Sequence, residues 1–86
     1  ILGDMFELGK YSHREHQKIV DFLQDSLFEN VFLVGTEFYN TERHGYATFR
    51  DIQELIQQIQ KEPITNSSIL IKGSRGMTLE KVTAFL

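Results

Sequence analysis

The hydrophobic residues of this chain follow two kinds of pattern along its length. In one kind, apolar residues recur three and four positions apart, as on one face of an α-helix. In the other, a short run is apolar throughout, as in a β-strand that is buried on both faces. The two kinds alternate from one end of the chain to the other. This order predicts a domain in which helices connect parallel strands.

The first helical pattern follows residue 12. Its apolar residues lie on one helical face: Ile19, Val20, Leu23 and Leu27. They predict a helix from about residue 13 to residue 27. Ser12 and Glu15 match a capping box, in which the two side chains bind the first backbone amides of a helix. The sequence therefore predicts Ser12 as the N-cap.

Two further stretches have helical spacing. The apolar residues of the second helix are Ile52, Leu55, Ile56 and Ile59, and those of the last are Leu79, Val82, Phe85 and Leu86. Asp51 and Glu54 form another capping box before the second helix, and Pro63 ends it. The last helix is predicted to begin at Met77 or Thr78.

Four apolar segments are short enough to be strands, and they comprise residues 1–2, 31–34, 46–49 and 68–72. Thr36 is predicted to cap a brief helical turn that ends at Tyr39. The fold class is therefore predicted to be α/β, with a three-layer, open, mostly parallel sheet. Because residues 1–2 resemble the end of a strand, we expect the chain to be a piece of a longer protein.

Composition narrows the class of protein. The 86 residues, 41% of them hydrophobic and 24% charged, are predicted to form a single domain, 1–86. The absence of cysteine excludes disulfides and thiolate metal sites, and the three histidines lack the spacing of metal ligands. A net charge of -3 argues against nucleic-acid binding. No apolar run reaches the roughly 20 residues of a membrane span. We expect a cytoplasmic domain without a metal site.

Parallel α/β sheets bind ligands beyond the carboxyl ends of their strands. The segment that ends the last predicted strand contains Lys72, Gly73, Ser74 and Arg75. Two cations and a hydroxyl beside the amides of a helix N-terminus suit a carboxylate or a phosphate. The alternative is a lysine at a strand end and an arginine paired with a surface acid. We favour ligand binding because the cations lie where α/β ligands bind.

The loop after the first strand contains two acidic candidates, Asp4 and Glu7. Either could bind a ligand amine, a ribose hydroxyl or the Arg75 guanidinium, and turn capping by Asp4 is an equally good interpretation. His16 lies on the apolar face of the first helix, which is typical of a packed, hydrogen-bonded core histidine. The residues form no convincing nucleophile-base pair, so no catalytic residue is predicted in this chain.

Two motifs together resemble the C-terminal domain of Mur ligases. They are GDMFELG at residues 3–9, followed by Ser12 and His16, and IKGSRG at residues 71–76. They lie at opposite ends of the chain, and the order of predicted elements between them also fits. The resemblance implies a Rossmann-like fold, truncated at its N-terminal end.

The resemblance further implies part of an ATP-dependent ligase that joins D-alanyl-D-alanine to UDP-N-acetylmuramoyl-tripeptide in peptidoglycan precursor synthesis. ATP and Mg²⁺ would bind mainly to a central domain outside this chain, so the chain alone is expected to be inactive. The segment Lys72, Gly73, Ser74 and Arg75 would contact the substrates, and the loop with Asp4 and Glu7 would border the same cleft.

Two other hypotheses remain. The chain could be a non-catalytic α/β module that binds a small anion, or it could come from a related ligase, such as one that joins glutamate to folate. A glycine-lysine-threonine or glycine-lysine-serine phosphate loop upstream in the reading frame would favour a ligase over the binding module.

Overall fold

Three short strands form a parallel sheet with helices on both faces. The computed structural model describes residues 1–6 and 8–86. The strands are β1 (Leu2–Gly3), β2 (Phe32–Val34) and β3 (Ala47–Phe49), and they lie in the order β1-β2-β3. Both strand pairs are parallel. The predicted α/β class is confirmed, and the parallel sheet is consistent with a Rossmann-like arrangement.

The prediction of a regular strand over residues 68–72 is wrong. A single bridge joins Lys72 to Leu2. The Lys72 N–H donates to the Ile1 carbonyl (3.0 Å), and the Lys72 carbonyl accepts from the Gly3 N–H (2.7 Å). The next amide of the chain, that of Asp4, points the other way, toward β2. The Ile1 nitrogen also donates to the Leu70 carbonyl (2.8 Å), so hydrogen bonds on this side of β1 reach back to Leu70, and Lys72 extends the sheet beyond β1.

The helices are α1 (Ser12–Leu23), α2 (Thr36–Tyr39) and α3 (Ile52–Lys61). Three 3₁₀ helices accompany them, at Gly9–Tyr11, Arg75–Met77 and Leu79–Phe85. The final helix is therefore a 3₁₀ helix, whereas its apolar spacing predicted an α-helix. Within the described residues, none of the helices combines the length and the apolar character needed to cross a membrane.

Both predicted limits of α1 are corrected by the structure. Ser12 is the first helical residue and Tyr11 is the N-cap, without a side-chain cap, so the predicted capping box is wrong. The helix ends at Leu23 because the Ser26 hydroxyl and N–H both donate to the Leu23 carbonyl (2.7 and 3.1 Å). Leu27 is 99% exposed, so no burial favours a further turn.

The start of α3 agrees better with its prediction. Asp51 is the N-cap, and its Oδ1 accepts from the Glu54 N–H (3.0 Å). Glu54 Oε2 accepts from the N–H of Arg50 (3.3 Å), so the reciprocal bond lies one residue before the N-cap. The helix ends at Lys61, before Pro63, as predicted. At α2 the N-cap is Gly35, and the prediction of Thr36 as the cap is wrong.

Two hydrophobic clusters lie on opposite faces of the sheet. The cluster on the side of α1 and α2 consists of Val20, Leu23, Val31, Leu33 and Phe38. The cluster on the side of α3 and the last 3₁₀ helix consists of Val34, Leu55, Ile59, Leu79 and Val82. Neighbouring residues of β2, Leu33 and Val34, enter different clusters because successive side chains of a strand point to opposite faces. The prediction of a central strand buried on both faces is confirmed.

Candidate functional site

The carboxyl ends of the strands meet at one edge of the sheet. From β1 the chain continues to β2 and β3 on one side, and it later returns to the other side of β1 at Lys72. Open α/β sheets bind ligands where the strand order reverses in this way. Two loops flank this point: the first loop, which the structure describes at residues 4–6 and 8, and the cation loop, residues 72–76. The structure therefore brings together the two segments that the sequence singled out.

Direct hydrogen bonds join the two loops. The Ser74 N–H donates to the Asp4 carbonyl (3.1 Å), and the Phe6 N–H donates to the Ser74 hydroxyl (2.8 Å). The Phe6 ring also lies against Gly76, where a Cβ would clash with it. Asp4 and Phe6 thus hold the cation loop against the first loop at the carboxyl edge.

Gly73 is required by packing inside the chain. A Cβ at Gly73 would lie 2.7 Å from Leu79 Cδ1 and 3.0 Å from the Cα of Gly3. A larger residue would therefore push the cation loop away from the end of β1. The need for glycine here is explained without a ligand.

The two cations of the cation loop, Lys72 and Arg75, are exposed. Neither forms a salt bridge with a carboxylate of residues 1–6 or 8–86. The expected α-helix N-terminus is absent, because Arg75 begins a 3₁₀ turn in which the Met77 N–H donates to the Ser74 carbonyl (3.0 Å). Any anion would be bound by the side chains rather than by the dipole of an α-helix.

Asp4 is buried beneath this edge, with 2% of its surface exposed. Its Oδ2 accepts from the Glu37 N–H (2.9 Å) and its Oδ1 from the Phe38 N–H (3.0 Å). Asp4 therefore caps α2 from a distant part of the chain, a role close to the turn-capping alternative. Glu7, the other acidic candidate, lies outside the described residues.

His16 holds the first loop against α1. The ring is fully buried, Nδ1 lies 2.7 Å from the Ser12 carbonyl oxygen, and Nε2 lies 3.0 Å from the Met5 nitrogen. A carbonyl can only accept and an amide N–H can only donate, so we assign the neutral ring with its proton on Nδ1. The ring also meets Phe38 edge to face at 4.7 Å. The prediction of a packed, hydrogen-bonded core histidine is confirmed.

A second cationic group at this edge was missed from the sequence. Arg43 Cζ lies 4.2 Å from the centre of the Tyr39 ring, and Arg50 Cζ lies 5.1 Å from it. The guanidinium of Arg50 and then that of Arg43, both close to the Tyr39 side chain, lower the pKa of the Tyr39 hydroxyl. The available signal was the position of Arg50 directly after β3, at the carboxyl edge of the sheet.

The described residues do not assemble a metal site. Residues 1–6 and 8–86 contain no group of three or more histidine, aspartate or glutamate side chains placed to bind one ion. The chemistry that the described edge can supply is therefore cationic and hydrogen-bonding.

Comparison with curated proteins identifies what the chain resembles. It is 36% identical over 90 residues to the UDP-N-acetylmuramoyl-tripeptide--D-alanyl-D-alanine ligase of Rickettsia prowazekii, an alignment that covers 99% of the chain and 20% of the ligase. The chain is similar to part of this ligase. The ligases of the same name from Buchnera aphidicola and Bacillus subtilis are 32% and 26% identical to it, and each alignment covers 95% of the chain.

The chain spans about a fifth of the length of the curated ligases that it matches. No family model matches it, and no solved structure does. The resemblance predicted from residues 3–9 and 71–76 is thus confirmed as a similarity to part of the ligase.

Proposed function

We propose that the chain belongs to the C-terminal, substrate-closing domain of an ATP-dependent ligase that joins D-alanyl-D-alanine to UDP-N-acetylmuramoyl-tripeptide in peptidoglycan precursor synthesis. The observation that supports this most is the 36% identity to the Rickettsia ligase over 99% of the chain. The hydrogen bonds between the first loop and the cation loop add to it, because they place both motifs at the edge where α/β ligands bind. The proposed domain is 1–86 and its setting is the cytoplasm.

In this proposal the cation loop binds the carboxylate of the incoming dipeptide. The fork of donors on the Arg75 guanidinium matches a carboxylate, and the Lys72 ammonium adds a second positive charge. The Ser74 hydroxyl accepts from the Phe6 N–H, so its own proton remains available for a ligand oxygen. Gly73 keeps these three side chains close to the end of β1.

Asp4 of the first loop contributes position rather than charge. Asp4 uses both carboxylate oxygens on the amides of α2, so we assign it the role of holding the loop in place. Glu7 remains a prediction as a residue that borders the cleft.

ATP and Mg²⁺ are assigned to the part of the ligase outside this chain. The sequence has no glycine-lysine-serine or glycine-lysine-threonine phosphate loop. Residues 1–6 and 8–86 contain no group of three or more histidine, aspartate or glutamate side chains that could hold an ion by themselves. This chain's proposed contribution is therefore to bind and orient the two substrates that the ligase joins.

Substitution of Arg75 in the full-length ligase that contains this chain tests the proposal. We expect Arg75→Ala to lower kcat/KM for D-alanyl-D-alanine about tenfold to a hundredfold, because a charge-assisted contact is lost. The KM for ATP should stay unchanged. Arg14→Ala is the matched control, since Arg14 is an exposed arginine of α1 that lies beside Glu15 (3.8 Å).

Unchanged dipeptide kinetics would remove Arg75 from the site. An equal rise in the KM for ATP would indicate general damage to the enzyme instead of loss of a substrate contact. A full-length protein without joining activity that still binds small anions through Arg75 would favour the non-catalytic module.

A further inference from the structure

A second cluster of cations lies at the carboxyl edge, at the far side of the sheet from Lys72. Tyr39 is the last residue of α2, and Arg50 directly follows β3. The guanidinium carbons of Arg43 and Arg50 lie 4.2 and 5.1 Å from the Tyr39 ring centre. Two positive charges are therefore gathered around one phenol.

The chain holds this cluster in place. Arg43 Nη1 donates to the Thr48 hydroxyl of β3 (2.6 Å), which fixes the guanidinium above the Tyr39 ring. Arg43 is half-buried, so it has less side-chain freedom to lose when a ligand binds. The Arg50 N–H is bound by Glu54 Oε2 (3.3 Å), which orders the backbone at the end of β3.

Glu54 and Asp51 lie near Arg50 and offset part of the positive charge of the cluster. Within residues 1–6 and 8–86, neither Arg43 nor Arg50 forms a salt bridge. The acidic residues close to Arg50 are Asp51 and Glu54, and each accepts a hydrogen bond from a backbone N–H of the α3 start. The two guanidiniums repel each other, so a bound anion would reduce the repulsion between them.

We propose that Arg43, Arg50 and the Tyr39 hydroxyl form a binding site for a phosphoryl group. The two guanidiniums present forked donors that match phosphate oxygens, and the phenol can donate to a further oxygen. A dianion would neutralise both arginines. The site is separate from the cation loop, because three strand spacings, about 14 Å, lie between Lys72 and β3. This inference goes beyond the proposed ligase function and does not depend on it.

Titration of the ¹⁵N-labelled full-length protein that contains this chain, with inorganic phosphate at constant ionic strength, tests the site. We expect saturable NMR shifts at the amides of Tyr39, Arg43, Thr48 and Arg50. Arg50→Gln should weaken phosphate binding about tenfold or more, since it removes a charge-assisted contact from an exposed side chain. Arg43→Gln should do the same, and the dispersion of its spectrum would report whether the fold is kept.

Arg14→Gln is the matched control. Arg14 also lies over a tyrosine ring, 5.0 Å from the centre of Tyr11, but it has Glu15 as a carboxylate neighbour at 3.8 Å. Arg14→Gln and Arg50→Gln change the net charge by the same amount. Phosphate affinity should stay unchanged in Arg14→Gln, because Arg14 lies outside the proposed site. Equal losses in the two variants would overturn the site, because they would indicate a general effect of charge.

Two further results decide what the site binds and where. Acetate, a carboxylate of single charge, should bind more weakly than phosphate, and equal or tighter binding of acetate would overturn the phosphoryl assignment. Arg75→Ala should leave the shifts at Tyr39 and Arg50 unchanged. If that variant abolished them, phosphate would be binding at the cation loop and the proposed site would be wrong.

Discussion

Asp4 links three parts of the molecule although it lies in a loop. Its N–H donates to the Val34 carbonyl of β2 (3.0 Å), its carbonyl accepts from Ser74, and its carboxylate caps α2. The amide of the next residue, Met5, is bound by His16 of α1. The first loop is thus positioned by buried polar contacts, which are stronger constraints than exposed ones because an unpaired buried group is costly.

Asp4→Asn should destabilise the chain by about 1 to 3 kcal/mol, because the amide nitrogen cannot accept one of the two N–H groups that the carboxylate now binds. Asp51→Asn is the matched control. Asp51 is an exposed N-cap, and asparagine caps helices about as well as aspartate, so the loss should be about 0.5 kcal/mol or less. Urea unfolding followed by circular dichroism measures both. Equal losses would contradict the role assigned to the buried carboxylate.

Glycine is needed at position 35 because of its backbone conformation and its contact with Asp4. Its φ is 121°, and a Cβ at this position would overlap the carboxylate of Asp4. Gly35→Ala should therefore destabilise the chain by about 3 kcal/mol or more, since backbone strain and the clash add.

The control for Gly35 is Gly45→Ala. Gly45 has φ 87°, but nothing lies within 4 Å of a Cβ built there, so strain alone should cost about 1 kcal/mol. Thermal or urea unfolding of the two variants compares them. A Gly35→Ala variant as stable as Gly45→Ala would show that the Asp4 carboxylate does not occupy this space.

At the scale of elements, polar side chains bind α1 to the connection between α2 and β3. His44 Nε2 lies 2.8 Å from Asp21 Oδ1. Gln17 donates to the Glu42 carbonyl (3.1 Å) and accepts from the Glu42 N–H (2.8 Å). These contacts hold the residues around Arg43 against α1, so they also support the arginine cluster beyond β3.

The hydrogen bonds from His44 and then Gln17 lower the pKa of the Asp21 carboxyl. A carboxyl with a lowered pKa in the folded state contributes stability above its unfolded pKa of about 3.9, and the contribution disappears as pH falls through the folded pKa. The wild-type chain should therefore be more stable than Asp21→Asn at pH 7, and the difference should shrink below about pH 4. Urea midpoints from pH 7 to pH 3 measure it, and a difference independent of pH would contradict the contact.

At the scale of the whole molecule, the proposed function makes the chain one wall of a substrate cleft. The purified 86 residues should show no ATP-dependent joining of D-alanyl-D-alanine to UDP-N-acetylmuramoyl-tripeptide, because the chain spans about a fifth of the curated ligases. The full-length protein that contains them should show it. Product formation followed by mass spectrometry makes this comparison, and measurable joining by the chain alone would contradict the proposed division of the enzyme.

The amino-acid sequence by itself indicated where α1 and α3 lie and which face of each is buried. Ile52, Leu55 and Ile59 on α3 are spaced for one helical face, and the cap at Asp51 is local, so neither depends on distant parts of the chain. The continuous apolar run that contains β2 likewise indicated burial on both faces. The two motifs were also visible, since each is a continuous segment.

Tertiary structure decided the features that join residues far apart in sequence. Asp4 reaches α2 across 33 positions, Ser74 reaches Phe6 across 68, and Lys72 pairs with Leu2 near the other end of the chain. Leu27 continues the apolar spacing of α1 but is exposed to solvent. Spacing shows which residues share a helical face, and it does not show whether another element covers that face. The capping of α2 by Asp4 and the gathering of Arg43 and Arg50 around Tyr39 likewise depend on which groups packing brings close together.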